Sequence, residues 1–574
     1  MKRVDKQTVS HILEEIGLLL ELKGENPFKS RAYRRAARTI RTLPGNLAER
    51  VAAGTLDEAP GIGAALSEKI TELVETGTLA YHTELLVSFP PGFSELLTIA
   101  GLGPKKAKIL YDALGIASVG ELEYACQENR LADLPGFGAK TQEKLLEGIA
   151  RRRRYQGRFL FPEALEIAEG IRADLAKHPA VSRVAVAGSL RRCLETVTDA
   201  DLVAAVSDAE TAGAALTGRP EVARIIEQGP TKTAVQLEGG LQIDLRCVDE
   251  TVYPFALLHF TGSKEHNAAL RARARRLGLT LNEYGLFKGN KSLPCRDEKE
   301  IYAALGLAFI APELREDRGE IAAAEAGELP DLVSPEELRG VFHVHTVASD
   351  GTATLEELTA AAAERGWQYL GICDHSRSAH YAHGLEVERV RRQWQEIDAL
   401  NEAGGVRLFK GIETDILADG ALDYPDEVLA GFDFVVASIH SYFQLPEAEQ
   451  TARLLRALEN PYTTILGHLT GRLLLARDGY AVDLEAVIAA AVRRKVVLEL
   501  NANPHRLDLD WRLLKQARDA GVMIAINPDA HDLKGLDDVR YGVGVARKGW
   551  LSAGDILNTR SAAEVADWFG RRRS

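Results

Sequence analysis

Nine side chains beyond residue 340 of this 574-residue chain are of the kinds that hold metal ions: His343, His345, Asp350, His375, Glu413, His440, His468, Asp529 and His531. Six imidazoles and three carboxylates, with no thiolate among them, suit Zn2+, Mn2+ or Fe2+ rather than a cysteine-rich structural site. Each stands at or just past the end of an apolar run. A lone histidine in such a place is usually a satisfied core residue; recurrence at one strand end after another points to a metal centre. Cations gathered there would lower the pKa of a bridging water, orient a phosphoester and stabilise the leaving oxygen, so the expected chemistry is phosphoester hydrolysis.

A second set lies upstream. Asp199 and Asp201 stand two apart in DADLVAAV, and Asp244 sits in LQIDLR among apolar neighbours. On a strand that spacing puts both carboxylates on one face, about 7 Å apart at Cα. With Asp244 on a neighbouring strand, the three can hold two Mg2+ or Mn2+ ions. One would activate an attacking 3′ hydroxyl and the other would neutralise a triphosphate and its leaving pyrophosphate. In AGSLRR, Gly188 and Ser189 form a strand-to-helix turn that can hold the triphosphate with Arg192. An isolated Asp-x-Asp is weak evidence; Gly-Ser, then Asp-x-Asp, then a distant Asp in a β run is far more specific.

The elements that must position these groups differ along the chain. From residue 340 seven strand-like runs recur, VFHVHT, YLGICDHS, RLFKGIETD, FDFVVASIH, TTILGHL, VVLELNAN and MIAINPDAH, each followed by a helical pattern. That is the pattern of a parallel βα barrel, whose site lies at the C-terminal ends of its strands, so the nine side chains would converge. Residues 159–315 alternate β and α patterns. Residues 316–335 are acidic, lack aromatics and read as a linker or surface wrap. The first 150 residues read as short helices around one repeated turn, in APGIGAALSEKI, IAGLGPKKAKIL and LPGFGAKTQEKL. In each copy a glycine pair opens a helix: Gly61 and Gly63, Gly101 and Gly103, Gly136 and Gly138. The free N–H groups of such a helix start form a sequence-independent phosphate cradle.

Charge supports that division. The net charge of −13 is uneven: residues 1–315 carry 42 basic against 41 acidic side chains, and the rest carry 28 against 42. Inside the near-neutral part the cations are clumped, at Lys29 to Arg41, at Arg151 to Arg154 with Arg158, and at Lys264 to Arg276. Clumped cations suit a phosphate backbone. The five cysteines are scattered and odd in number with no Cys-x-x-Cys pair, which excludes a disulfide framework and points to a reducing compartment, the cytoplasm. No stretch approaches 18 uncharged apolar residues, so no membrane span is expected.

Three resemblances follow from these motifs. The turns at 59–70, 99–110 and 134–145 look like the helix-hairpin-helix motif of DNA-binding proteins. HVH with SDG, CDHS, SIH, GH and PDAH resemble the polymerase-and-histidinol-phosphatase (PHP) domain. That resemblance implies one metal on His343, His345, Glu413 and Asp529, a second on Glu413, His440 and His468, and a third on Asp350, His375 and His531. Residues 1–315 resemble the family X DNA polymerases. There HFTGSKEHN implies nucleotide or template contacts by Gly262, Asn267 and the downstream Arg271, with His259 where many relatives have Tyr; Lys264 stands where the eukaryotic members have other residues and, as a cation beside the pocket, could add triphosphate affinity. NPFKSRAYRRAA and SEKITELVETGTL resemble the family's 5′-phosphate-binding and lyase domain. Lys69 falls at the Schiff-base position, with Lys29 and Tyr33 beside the gap's 5′ phosphate. Plain backbone binding explains Lys69 equally well.

The expected layout is multidomain: an all-α lyase-like domain at 1–90, helix-hairpin-helix fingers at 91–158, an α/β nucleotidyltransferase palm at 159–248, a thumb at 249–315, the linker at 316–335 and a (β/α)7 PHP barrel at 336–574. The expected function is a monomeric polymerase filling short gaps in gapped or nicked DNA from dNTPs, with 3′–5′ trimming in the barrel and dRP-lyase or AP-site chemistry in the first domain. Mg2+ or Mn2+ would serve the palm, and up to three Zn2+, Mn2+ or Fe2+ ions the barrel. The alternatives are a DNA-docking module with a weak polymerase site serving mainly the phosphoesterase, and a small-molecule phosphatase.

Overall fold

The computed structural model describes residues 6–572 except 24, 44–46, 58, 60, 91–92, 97–98, 100 and 133. The side chains of Arg41 and of Arg151 to Arg154 also lie outside the described set. The chain forms two compact units, Met1–Ile149 and Ala150–Ser574.

The first unit is helical. Its main helices are α1 (Lys6–Leu22), α2 (Pro27–Thr42), α3 (Ala64–Thr76), α4 (Pro104–Leu114) and α5 (Ala139–Gln156). Asn26 caps α2 by accepting a hydrogen bond from the N–H of Phe28, and Pro27 occupies the first turn, where no donor is lost. Leu13, Ile16 and Leu20 of α1, Ile40 of α2, Leu73 of α3 and Leu110 of α4 are fully buried in one core. The three turns repeat one backbone device. The leading glycines Gly61, Gly101 and Gly136 have φ of +89°, +89° and +87°. The trailing glycines Gly63 and Gly103 are extended at the helix N-cap.

The second unit begins with the palm. Its sheet contains β1 (Val181–Val186), β2 (Asp199–Val206), β3 (Val222–Gln228), β4 (Lys232–Leu237) and β5 (Gln242–Val248), in the order β1-β2-β5-β4-β3. β2 and β5 are parallel. A short helix α6 (Gly188–Arg191) links β1 to β2. Alternation along β2 sends Ala200 and Leu202 into the core and leaves Asp199 and Asp201 on the opposite face. The thumb follows with α7 (Tyr253–Thr261), α8 (Lys264–Arg276) and a small antiparallel sheet.

The stretch 316–335 departs from the expected linker. It carries α9 (Glu320–Ala326), and the Glu320 carboxylate is fully buried 2.6 Å from His266 Nδ1. Backbone N–H groups of Asp317 and Arg318 also donate to Glu320. An acidic composition read as solvation here supplies a buried partner that ties the segment to the thumb.

The barrel holds eight parallel strand pieces from the seven runs: β6 (Gly340–Val344), β7 (Tyr369–Ile372), β8 (Arg407–Lys410), β9 (Glu413–Asp415), β10 (Val436–Ser438), β11 (Ile465–Leu466), β12 (Val497–Asn501) and β13 (Ile524–Asn527). The third run divides at Gly411, where a Cβ would lie 2.2 Å from the Phe434 ring. Bridges between His375 and Glu413 and between Val344 and Ala530 connect the two sheets into a ring. Phe342, Tyr369, Phe409 and Phe434 pack with Phe569 as one buried aromatic cluster. Helix α10 (Val539–Lys548) packs on β13.

All five cysteines are free thiols. Burial pushes Cys126 and Cys193 up to about 12 and Cys247 up to about 11, and also raises Cys373 well above the ordinary thiol value. No described helix is long and apolar enough to cross a membrane.

Candidate functional site

The barrel mouth gathers all nine sequence-identified side chains. His345, Asp350, His375 and His531 form one group, His343, His345 and Asp529 a second, and His375, Glu413 and His440 a third, each with donor atoms within 4.8 Å of one another. His468 Nε2 stands 3.0 Å from Glu413 Oε1. Compared with the expected division, His345 and His375 each serve two groups and Glu413 lies between them. His343, His468 and Asp529 adopt left-handed backbone, with φ of +58°, +23° and +52°. Such strained conformations cost about 1–3 kcal/mol each and collect at functional sites.

Buried atoms with no hydrogen-bond partner include His343 Nε2, His345 Nδ1 and Asp350 Oδ2, while His375 Nδ1 and Glu413 Oε2 face each other at 2.9 Å. Such atoms are normally satisfied, and divalent cations held in the three groups would satisfy those that face them. Electrostatics agree. Burial opposes ionisation of Asp350, Glu413 and Asp529, yet the facing imidazoles hold all three well below the carboxylate range. Burial and the neighbouring His531 and His375 push His345 down to about 4; burial and Arg506 do the same for His468. Burial would also lower His375, but Asp350 and Glu413 overcome it and push it up to about 10.

Two carboxylates escaped the sequence reading. Glu499 on β12 stands 2.6 Å from His343 Nδ1 and accepts from the N–H of His468. Asp415, two residues past Glu413, stands 2.6 Å from His440 Nδ1. Such partners fix a ligand's tautomer and ring orientation. The only available signal was strand alternation, in ELN and ETD.

In the palm, Asp201 and Asp244 are register partners on β2 and β5, and Asp199 lies opposite Gln242. Burial, then Asp199 and Asp244, pushes the Asp201 carboxyl up to about 7; burial and Asp244 raise Asp199 too. Crowded carboxylates of this kind are what paired divalent cations relieve. Lys232 Nζ lies 3.0 Å from Asp244 Oδ2, and Gln242 Nε2 donates to Asp244 Oδ1 at 2.8 Å; neither contact was read from the sequence. Gly188 has φ +60° and sits directly against Asp201. Ser189 follows it on α6. Arg192 donates through Nη1 to the Thr261 carbonyl and through Nε to Glu316.

His259, Asn267 and Arg271 line one pocket with Leu258, Leu281 and Asn282. Asn267 donates to the carbonyls of His259 and Gly262, and Lys264 is exposed at the start of α8. In the first unit, Lys69 and Lys29 lie 4.7 and 5.4 Å from the ring of Tyr81, which stacks on Tyr33. Tyr81 was not identified from sequence. A Cβ on Gly63, Gly101, Gly103 or Gly138 would meet nothing within 4 Å, so those turns present open backbone.

A carboxylate palm with its nucleotide-side thumb, joined to a barrel with an imidazole-lined metal site, defines a two-site phosphoryl-transfer protein. Comparison with known families agrees. Residues 4–79 match the helix-hairpin-helix domain, 93–151 the SAM-like helix-hairpin-helix tandem, 256–316 the DNA polymerase beta thumb and 342–503 the PHP domain. The chain belongs to the family X DNA polymerases that carry a C-terminal PHP domain. It is 39% identical over 573 residues, 99% of each chain, to the DNA polymerase/3'-5' exonuclease PolX of Bacillus subtilis. Over 204 residues, 33% of this chain and 78% of the relative, it is 32% identical to a probable phosphatase of Caldicellulosiruptor saccharolyticus.

Proposed function

We propose that this chain fills short gaps in DNA from dNTPs at the palm and trims 3′ ends at the barrel mouth, working as a cytoplasmic monomer on gapped or nicked DNA. The observation that carries the reading is the in-register pair Asp201 and Asp244, with Asp199 on the same face, in a chain whose barrel independently gathers five imidazoles in three groups and a sixth, His468, against Glu413.

Asp199, Asp201 and Asp244 would hold two Mg2+ or Mn2+ ions, which supply activation of the 3′ hydroxyl and neutralisation of the leaving pyrophosphate. Gly188, Ser189 and Arg192 bind the triphosphate, and Asn267 and Arg271 set the nucleotide against the template from their shared pocket. At the barrel mouth the nine ligands would hold up to three Zn2+, Mn2+ or Fe2+ ions, which supply a water nucleophile at neutral pH. Glu499 and Asp415 keep His343 and His440 turned toward the site. The glycine turns grip the DNA backbone without reading sequence, and Lys29 and Tyr33 hold the gap's 5′ phosphate. Lys69 serves there either as a lyase nucleophile or as a backbone cation.

A one-nucleotide-gap assay with Mg2+ and with Mn2+ tests both activities. Asp201→Ala with Asp244→Ala should abolish incorporation and spare trimming, and His345→Ala should do the reverse. Incorporation surviving the first, or trimming surviving the second, would refute the respective assignment.

A further inference from the structure

The loop that carries Arg192 is gripped by the barrel domain. Cys193 packs against α10, where a Cβ on Gly544 would come within 3.0 Å of its Sγ. Glu195 accepts from Trp511 Nε1 at 3.1 Å and pairs with Arg512 at 2.7 Å. Glu313 pairs with Arg547 at 2.7 Å. Between these contacts runs a charged chain. Lys548, at the end of α10, points its fully buried ammonium at Glu316 Oε1, 2.5 Å away, and lies over the Trp511 ring. The same oxygen accepts from Arg192 Nε at 2.9 Å. Arg192 spends one N–H of Nη1 on the Thr261 carbonyl at 2.8 Å, and those two bonds leave the second N–H of Nη1 and both of Nη2.

A lysine buried this deeply is rare unless paired, and its partner is a carboxylate otherwise engaged by the polymerase half. We infer that Lys548 is a positioning residue for the polymerase site: through Glu316 it fixes the guanidinium of Arg192 in the orientation that meets an incoming triphosphate. The metal-nuclease domain thus supplies part of the wall of the nucleotide site. Without Lys548, Glu316 keeps one cationic partner and loses the anchor that fixes its position, and Arg192 loses its fixed aim. The inference rests on the reading of Arg192 as a triphosphate ligand.

Steady-state dNTP kinetics of the full chain on a one-nucleotide gap, run beside Mn2+-dependent trimming, test it. Lys548→Met should raise the dNTP KM about tenfold, the scale of one lost charge-assisted contact, with kcat within about twofold and trimming unchanged. Lys548→Arg, which keeps a cation on Glu316, should restore the KM. Glu313→Gln breaks a neighbouring interface pair without touching Arg192 and should leave the KM alone. A wild-type KM in Lys548→Met, an equal rise in Glu313→Gln, or a parallel loss of trimming in Lys548→Met would each overturn the relay. If Arg192→Ala raises the KM and Lys548→Met does not, the relay alone fails. If Arg192→Ala leaves the KM unchanged, the triphosphate reading fails and takes the relay with it.

Discussion

A Cβ placed on Gly188 would lie 2.1 Å from Oδ2 of Asp201. The glycine also has φ +60°, so its position is closed to side chains by both contact and conformation. Gly188→Ala should therefore push the Asp201 carboxylate aside and lower single-nucleotide incorporation at least about 100-fold, the cost of a misplaced reacting geometry. Trimming on the same DNA should stay at the wild-type rate, and the gap assay reads both.

Glu499 holds His343 from behind. Glu499→Gln should weaken metal retention in the barrel about 10–100-fold, the usual effect of losing such a partner. Metal content after dialysis and the Mn2+ concentration giving half-maximal trimming check this, and dNTP incorporation should not move.

Glu298 accepts a two-pronged contact from Arg191 and a further one from Arg315. Burial opposes its ionisation, but Arg315 and Arg191 prevail and bring its carboxyl down to about 2. Because the folded value lies below the unfolded one, this stabilisation is complete above about pH 4.5 and fades as pH falls toward 2. It amounts to about 3 kcal/mol. Glu298→Gln should lower Tm at pH 7, and its deficit against wild type should narrow measurably between pH 5 and pH 3.5. A deficit that stays constant across that window would contradict the assignment.

Lys69 and Lys29 both approach the ring of Tyr81, at 4.7 and 5.4 Å from its centre. If Lys69 is a Schiff-base nucleophile, borohydride should trap the chain on an incised abasic site. Lys69→Arg should abolish trapping while gapped-DNA affinity stays within about threefold, since the charge on the backbone is kept. Trapping that survives Lys69→Arg would assign the chemistry to another amine.

Much of this was legible in the sequence because the informative residues repeat. Histidines and carboxylates recur at successive strand ends, and the glycine pairs recur three times with one backbone geometry. What stayed hidden depends on a single long-range contact. Glu499 reads as one acid in an apolar strand until folding brings His343 to it. Tyr81 reads as an ordinary aromatic until two lysines reach its ring. The pair formed by Glu316 and Lys548 spans 232 positions, beyond any local pattern. The segment at 316–335 misled because composition reports solvation on average, whereas the burial of Glu320 depends on one histidine.

The raised thiols also set how the folded chain meets oxidants. Burial keeps Cys126, Cys193 and Cys247 in the neutral thiol form at neutral pH. Peroxide attacks the thiolate anion, not the neutral thiol. With only two methionines in 574 residues, the chain offers oxidants very little reactive sulfur. The fold thus keeps these cysteine sulfurs in the form that peroxide attacks least.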